Sequence, residues 1–189
     1  MTHDISEVLR CDIYSGPFVL TFPDSVKYQF SAPSNDAGRL TQITAPGNKT
    51  WTFDHNAAGQ RTEAGLPNGL TTEYSYNNRG LLSQIQHRDG GTTLRTLSYW
   101  YDAAGHINEY QDNAAGQAMV SGYYYYDGRR RLTGADRFQS GSQAVLHEYE
   151  YDDADNMTLM ERTGPGGFTR TYGHNNANEL TSMTQGGIV

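Results

Sequence analysis

Residues 99–107 read Tyr99-Trp100-Tyr101-Asp102-Ala103-Ala104-Gly105-His106-Ile107. The pattern returns as Tyr74-Ser-Tyr76-Asn77-Asn-Arg-Gly80-Leu-Leu82, as Tyr124-Tyr-Tyr126-Asp127-Gly-Arg-Arg130-Arg-Leu132 and as Tyr149-Glu-Tyr151-Asp152-Asp-Ala-Asp155-Asn-Met157. Fainter copies begin at Phe53, at Tyr172 (Tyr172-Gly-His-Asn175-Asn-Ala-Asn178-Glu-Leu180) and at Ser34. The glycine position falls at 38, 59, 80, 105, 130, 155 and 178, a period of 21 to 25 residues. Repetition at a fixed period is the signature of an architecture built from one supersecondary unit.

Each copy has a physical logic. Aromatics two residues apart, such as Tyr99 and Tyr101 or Tyr124 and Tyr126, share one face of a strand. Asp or Asn then opens a turn, because its side chain accepts from backbone N–H groups two residues on. Gly at the fourth turn position supplies the left-handed conformation that closes a bulged hairpin. Asp155 and Asn178 are short polar residues that tolerate the same conformation. Arg130 is not, so that copy is expected to turn at Asp127-Gly128 instead, with a shifted register. An apolar residue two past the glycine position (Leu40, Leu82, Ile107, Leu132, Met157, Leu180) opens the return strand, with Arg61 as the exception. Apolar residues recur three further on (Ile43, Ile85, Tyr110, Met160, Met183), an odd offset that either a bulge or burial on both faces explains.

A looser turn follows each return strand, at Pro67-Asn-Gly69, Asp89-Gly-Gly91, Gly116, Gly141 and Gly164-Pro-Gly-Gly167. No window carries a 3.6-residue apolar period. The expected fold is therefore all-β, successive antiparallel hairpins forming a curved or spiral repeat sheet. About seven repeats occupy residues 30–189, after a degenerate repeat or cap over residues 1–29.

Composition narrows the function. Leu, Ile, Val and Phe make up about 16% of the 189 residues, but 14 Tyr and 2 Trp add apolar surface that this count misses. With a net charge of only −7, the chain does not read as disordered. No apolar run approaches the 18 or more residues of a membrane helix, and the first residues lack the basic start and apolar stretch of a signal peptide. One cysteine, Cys11, excludes an internal disulfide framework and a cysteine zinc site. Twelve Arg and two Lys against 21 acidic residues make a poor nucleic-acid binder. The one basic run, Arg129-Arg130-Arg131, reads as solvated turn charge.

Catalytic and metal signatures are missing from the sequence. The six histidines have no metal spacing, and His55 and His174 stand where other copies carry tyrosine. Carboxylates recur with the repeat, whereas an active site would occur once. The acidic group at Glu148, Glu150, Asp152, Asp153 and Asp155 has calcium-type oxygen ligands, but two of them are turn positions. We expect no enzyme activity, no cofactor and no metal.

Tyr101-Asp-Ala-Ala-Gly-His-Ile107, with Pro67-Asn-Gly-Leu-Thr-Thr-Glu-Tyr-Ser-Tyr76 before the third copy, resembles the YD (Tyr-Asp) repeats of the Rhs family. Similar repeats occur in shell subunits of insecticidal toxin complexes, wall-associated proteins and teneurins, and the resemblance covers residues from about 30 to 185. It implies a hollow β-shell whose partners are neighbouring YD repeats and an enclosed C-terminal toxin domain. It also implies a secreted or cell-surface parent protein, exported by a route this sequence does not show. The aspartyl self-cleavage motif of that family contains Asp-Pro, and none of the six prolines here follows an Asp. The chain thus reads as a slice of shell, a truncated chain or a short free-standing repeat protein. The second reading is a carbohydrate-binding or adhesion module, since tyrosine suits sugar stacking. The direction in which the second tyrosine of each copy faces discriminates the two. Few charges blunt residues 180–189, so edge-to-edge self-association is also expected.

Overall fold

The computed structural model describes the backbone of residues 18–21, 27–30 and 45, and all of residues 37–44 and 47–187. Cys11 and the charged residues Asp4, Glu7 and Arg10 lie outside the described residues. Two units divide the chain, residues 1–70 and 71–189.

The first unit holds β1 (Phe18–Thr21), β2 (Lys27–Phe30), β3 (Gln42–Ala45), β4 (Lys49–His55) and β5 (Arg61–Gly65). Each pairs antiparallel with the next. The second unit is built from β6 (Leu70–Tyr76), β7 (Leu82–Asp89), β8 (Thr92–Tyr101), β9 (Ile107–Ala114) and β10 (Val120–Tyr126). It continues through β11 (Leu132–Gln139), β12 (Ser142–Tyr151), β13 (Met157–Thr163), β14 (Phe168–His174) and β15 (Leu180–Gly187). From β7 onward, successive strands again pair antiparallel in chain order. No helix occurs among the described residues. The protein is all-β, a run of antiparallel hairpins.

One turn is built six times among the described residues. The Asx backbone N–H donates to the carbonyl four residues on, and the glycine-position N–H donates back to the Asx carbonyl. Asp102 to His106 (2.9 Å) and Gly105 to Asp102 (3.2 Å) form one copy; Asn56, Asn77, Asp127, Asp152 and Asn175 open the others. The Asx Oδ1 also accepts from the N–H four residues on, at 2.9 to 3.1 Å in all six copies. The closing residue is left-handed in every copy, glycine or not: φ is 85° at Gly59, 94° at Gly105, 68° at Asp155 and 62° at Asn178.

Arg130 corrects the sequence reading. Its φ is 68°, and Asp127 closes on Arg131 and Arg130 as in the other copies, so the turn does not shift to Asp127-Gly128. A left-handed non-glycine residue costs about 1–2 kcal/mol. The Asp127 carboxylate accepts from the N–H groups of Arg129 (2.8 Å) and Arg131 (2.9 Å) and from the Arg131 guanidinium (2.6 Å), which outweighs that strain.

The odd apolar offset comes from a bulge. Tyr101 pairs with Ile107, but Trp100 pairs with Glu109, so Asn108 is the extra residue. Thr133, Thr158, Thr181 and Thr62 are skipped in the same way. A bulged residue reverses the in–out alternation of its strand. Ile107 and Tyr110, three apart, therefore share the face of Tyr101 and Tyr99.

The sheet has almost no sealed interior. Among the described residues only Val145 is a buried apolar side chain, and every side chain of β15 is exposed. Each strand is sheltered mainly by its neighbours.

Two substitutions test the turn from opposite directions. Gly105→Ala meets only the end of the Arg79 guanidinium at 3.5 Å, so its cost is that of the backbone, about 1 kcal/mol or more. Arg130→Gly relieves the same strain and should stabilise by about 0.5 kcal/mol or more, net of the entropy of the added glycine. Urea denaturation reads both, and equal signs for the two would refute the account.

Candidate functional site

In three consecutive copies the second tyrosine reaches back one repeat. Tyr101 Oη–H donates to the carbonyl of Leu82 at 2.6 Å, Tyr126 to that of Ile107 at 3.0 Å and Tyr151 to that of Leu132 at 2.8 Å. These acceptors are the first residues of the return strands, next to the bulge. The backbone ladders stop two residues short of them, at Gln84↔Ser98, Glu109↔Tyr123 and Gly134↔Glu148. Neighbouring hairpins thus part at the turn end, and a phenol hydroxyl spans the gap.

The other aromatics of the repeat complete the ladder. The Tyr110 ring stacks on Tyr124 at 5.9 Å and lies over Gly122, where an added Cβ would collide with it. His106 stacks on Tyr126 at 4.7 Å, and the Arg131 guanidinium lies 4.6 Å from the centre of the Tyr151 ring. His106 and Arg131 occupy one repeat position, so each caps the tyrosine of the next copy. Tyr74, Tyr76, Tyr99, Tyr149 and Tyr172 are half-buried on their strands, as are Leu82, Ile107, Leu132 and Met157, while Leu180 is exposed. His55 and His174 take the tyrosine position, paired with Arg61 and Leu180. Imidazole is shorter than phenol, and both Nδ1 atoms are buried without a hydrogen-bond partner among the described residues.

A second column joins the turns. Arg79 donates to the carbonyls of Asp102 (2.7 Å) and Ala103 (3.3 Å) in the next turn. Arg129 donates to the Asp153 carbonyl (2.8 Å) and Arg131 to that of Asp152 (3.1 Å). Both also contact the Asp155 carboxylate, at 3.0 and 2.8 Å. Arg129 and Arg131 are thus bonded to the following turn, which the reading as solvated charge did not foresee, while Arg130 is exposed. The acidic group likewise does not converge: Asp152 holds its own turn, Asp155 faces the arginines, and Glu148 and Glu150 lie on the sheet face away from the tyrosines. Among the described residues no group of three or more His, Cys, Asp or Glu could hold a metal ion.

The sequence reading also missed how each Asx is matched to the residue four positions on. Where the turn opens with Asp, that residue donates: His106, Arg131 and Asn156 all bond the Asp carboxylate. Where it opens with Asn, Gln60 and Glu179 accept from the amide. Asn77 has Leu81 there instead. The signal was present in the aligned copies and appears only when the two columns are compared. These bonds also hold carboxyls below their ordinary range. The His106 side chain does so chiefly for Asp102, the Arg131 backbone N–H for Asp127 and the Asn156 side chain for Asp152. Burial pushes Tyr101, Tyr126 and Tyr151 up.

Two expected outcomes follow from the ladder. Tyr126→Phe leaves the Ile107 carbonyl without its donor and should cost about 1 kcal/mol, whereas Phe at exposed Tyr125 should cost less than half as much. Stability should also fall at both ends of the pH range. A lowered carboxyl contributes above its unfolded value near 3.9 and loses that contribution as pH falls. A raised phenol contributes below about 10 and loses it as pH rises further. Denaturant midpoints between pH 2.5 and 11 check this, and a flat profile below pH 4 would contradict the carboxyl assignment.

Comparison with known proteins agrees with this geometry. Residues 35–69 match the RHS Repeat family model. No curated protein matches significantly. A solved structure of the Photorhabdus luminescens Tc holotoxin pore, carrying a TccC3 mutation, superposes with TM-score 0.73 at 20% identity, over 86% of this chain and 9% of the other. The crystal structure of TcdB2-TccC3-TEV gives TM-score 0.59 at 18% identity, over 82% of this chain and 10% of the other. The chain therefore spans about a tenth of the proteins whose fold it shares. It carries an RHS repeat, and its hairpins have the fold of these Tc toxin chains.

Proposed function

We propose that the chain is a non-catalytic wall segment of a larger β-hairpin shell that encloses a polypeptide toxin and helps deliver it outside the producing cell. The observation that carries this is the use of the tyrosine hydroxyls. Tyr101, Tyr126 and Tyr151 donate to the preceding repeat and are half-buried, so the row that would serve as a sugar platform is engaged in joining hairpins. A wall needs this kind of contact, repeated and directed at the next copy. Likeness to the Tc holotoxin pore structure supports the same reading. The repeats 30–189, led by a degenerate copy over residues 1–29, would form one stretch of that wall. Its partners would be the repeats before and after it and the enclosed domain.

The test uses the full parent polypeptide. Limited proteolysis should leave an enclosed domain intact, and the triple variant Tyr101→Phe, Tyr126→Phe, Tyr151→Phe should expose it to cleavage at protease levels the parent withstands. Cleavage of that domain in the parent as fast as in its free form would sink the proposal.

A further inference from the structure

The register sorts the strand charges by face. In the second unit the face bearing the tyrosines carries Arg95, Arg137, Arg162 and Arg170. Its acidic residues are Asp112, bonded to Arg95, and Asp89 at the end of β7. The opposite face carries Glu73, Glu109, Asp136, Glu148, Glu150 and Glu161, with Arg88 as its basic residue, already bonded to Glu73 at 2.9 Å. The first unit repeats this locally: Asp54 faces Glu63 across one side of the β4–β5 hairpin, while Lys49 and Arg61 lie on the side of Phe53.

This arrangement has a cost. Glu148 and Glu161 are directly opposed across β12 and β13, with Glu150 two residues along, and none of the three has a basic partner among the described residues. Like charges directly opposite destabilise an antiparallel pair. The same face presents Trp100, 44% exposed, and Tyr125, 50% exposed. Beside Trp100 lies an open groove of about 720 Å³, lined among others by Gln84, Ser98, Glu109 and Arg79, whose guanidinium is turned to the carbonyls of Asp102 and Ala103. Glu109 is the cross-strand partner of Trp100, so a carboxylate stands next to an exposed indole. That pair suits a guanidinium or ammonium group, which gains from the ring face and from the carboxylate.

We propose that this face docks an arginine- or lysine-rich polypeptide segment, with one cationic side chain in the groove between Trp100 and Glu109 and others against Glu148, Glu150 and Glu161. The carboxylates do not converge as metal ligands, and their sign repels nucleic acid. From β9 to β12 is three strand spacings, about 14 Å, a distance an extended peptide covers in about four residues. The proposal deepens the shell reading by naming the chemistry of what the wall holds, and it rests on that reading for the source of the segment.

Binding of fluorescent decaarginine to the intact chain at 0.15 M salt tests it, with decaglutamate as the opposite probe. In a Trp51→Phe background the remaining Trp100 emission should change on adding decaarginine and not decaglutamate. The variant Glu148→Gln, Glu150→Gln, Glu161→Gln should keep its circular dichroism, melt higher than the parent and bind about tenfold more weakly. The variant Asp89→Asn, Asp153→Asn, Glu179→Gln removes the same charge elsewhere and should stay within about twofold of the parent. Equal weakening by both variants, silent Trp100 emission, or no binding of decaarginine would overturn the proposal. The assay does not depend on enclosure: unchanged decaarginine binding beside a failed protease-protection result removes the shell reading alone, and the converse removes the docking face alone.

Discussion

A phenol hydroxyl reaching back one hairpin is the contact on which the architecture depends. The bulge after each tight turn puts the first residue of the return strand on the tyrosine face and ends backbone pairing with the next hairpin two residues early. Unpaired carbonyls at that point would cost free energy if left without a donor. Tyr101, Tyr126 and Tyr151 supply the donor, and their rings shelter the same place. Tyrosine fits because it combines reach, apolar area and a polar tip; phenylalanine lacks the tip, and the histidines at 55 and 174 lack the reach.

Everything else is arranged so that a thin sheet survives without a deep core. The turn arginines bind forward to the next turn, and His106 and Arg131 cover the next tyrosine. Each hairpin is held by its two neighbours, and stability accumulates as a sum of near-identical interfaces. Carboxylates gathered on one face and guanidiniums on the other leave the sheet electrically two-sided, with the tyrosine ladder on the basic side.

Much of this was legible in the sequence. The aromatic pair, the Asx and the left-handed position are local features, each dictated by a few consecutive residues, and Gly105 or Asn178 announces itself. Arg130 misled because its strain is local while the compensation, three donors on one Asp127 carboxylate, needs the closed turn. The bulge was one of two readings left open by Ile107 and Tyr110; cross-strand register alone decides it. The charge sorting stayed hidden for the same reason. Each bulge reverses the alternation, so Glu148 and Glu161 cannot be put on one face before the pairing is known.

Because each hairpin grips only the next, the sheet responds to force as a seam does. A pull on one end of the chain loads one inter-hairpin border at a time, and the borders beyond it carry no load until the first gives. Each detachment frees a segment of about 25 residues, roughly 85 Å of extended chain. The segment that follows is bound by the same few contacts. A sheet of this kind resists pressure spread over its surface and yields to tension applied at a thread, so it can be dismantled from one end by a modest, sustained pull.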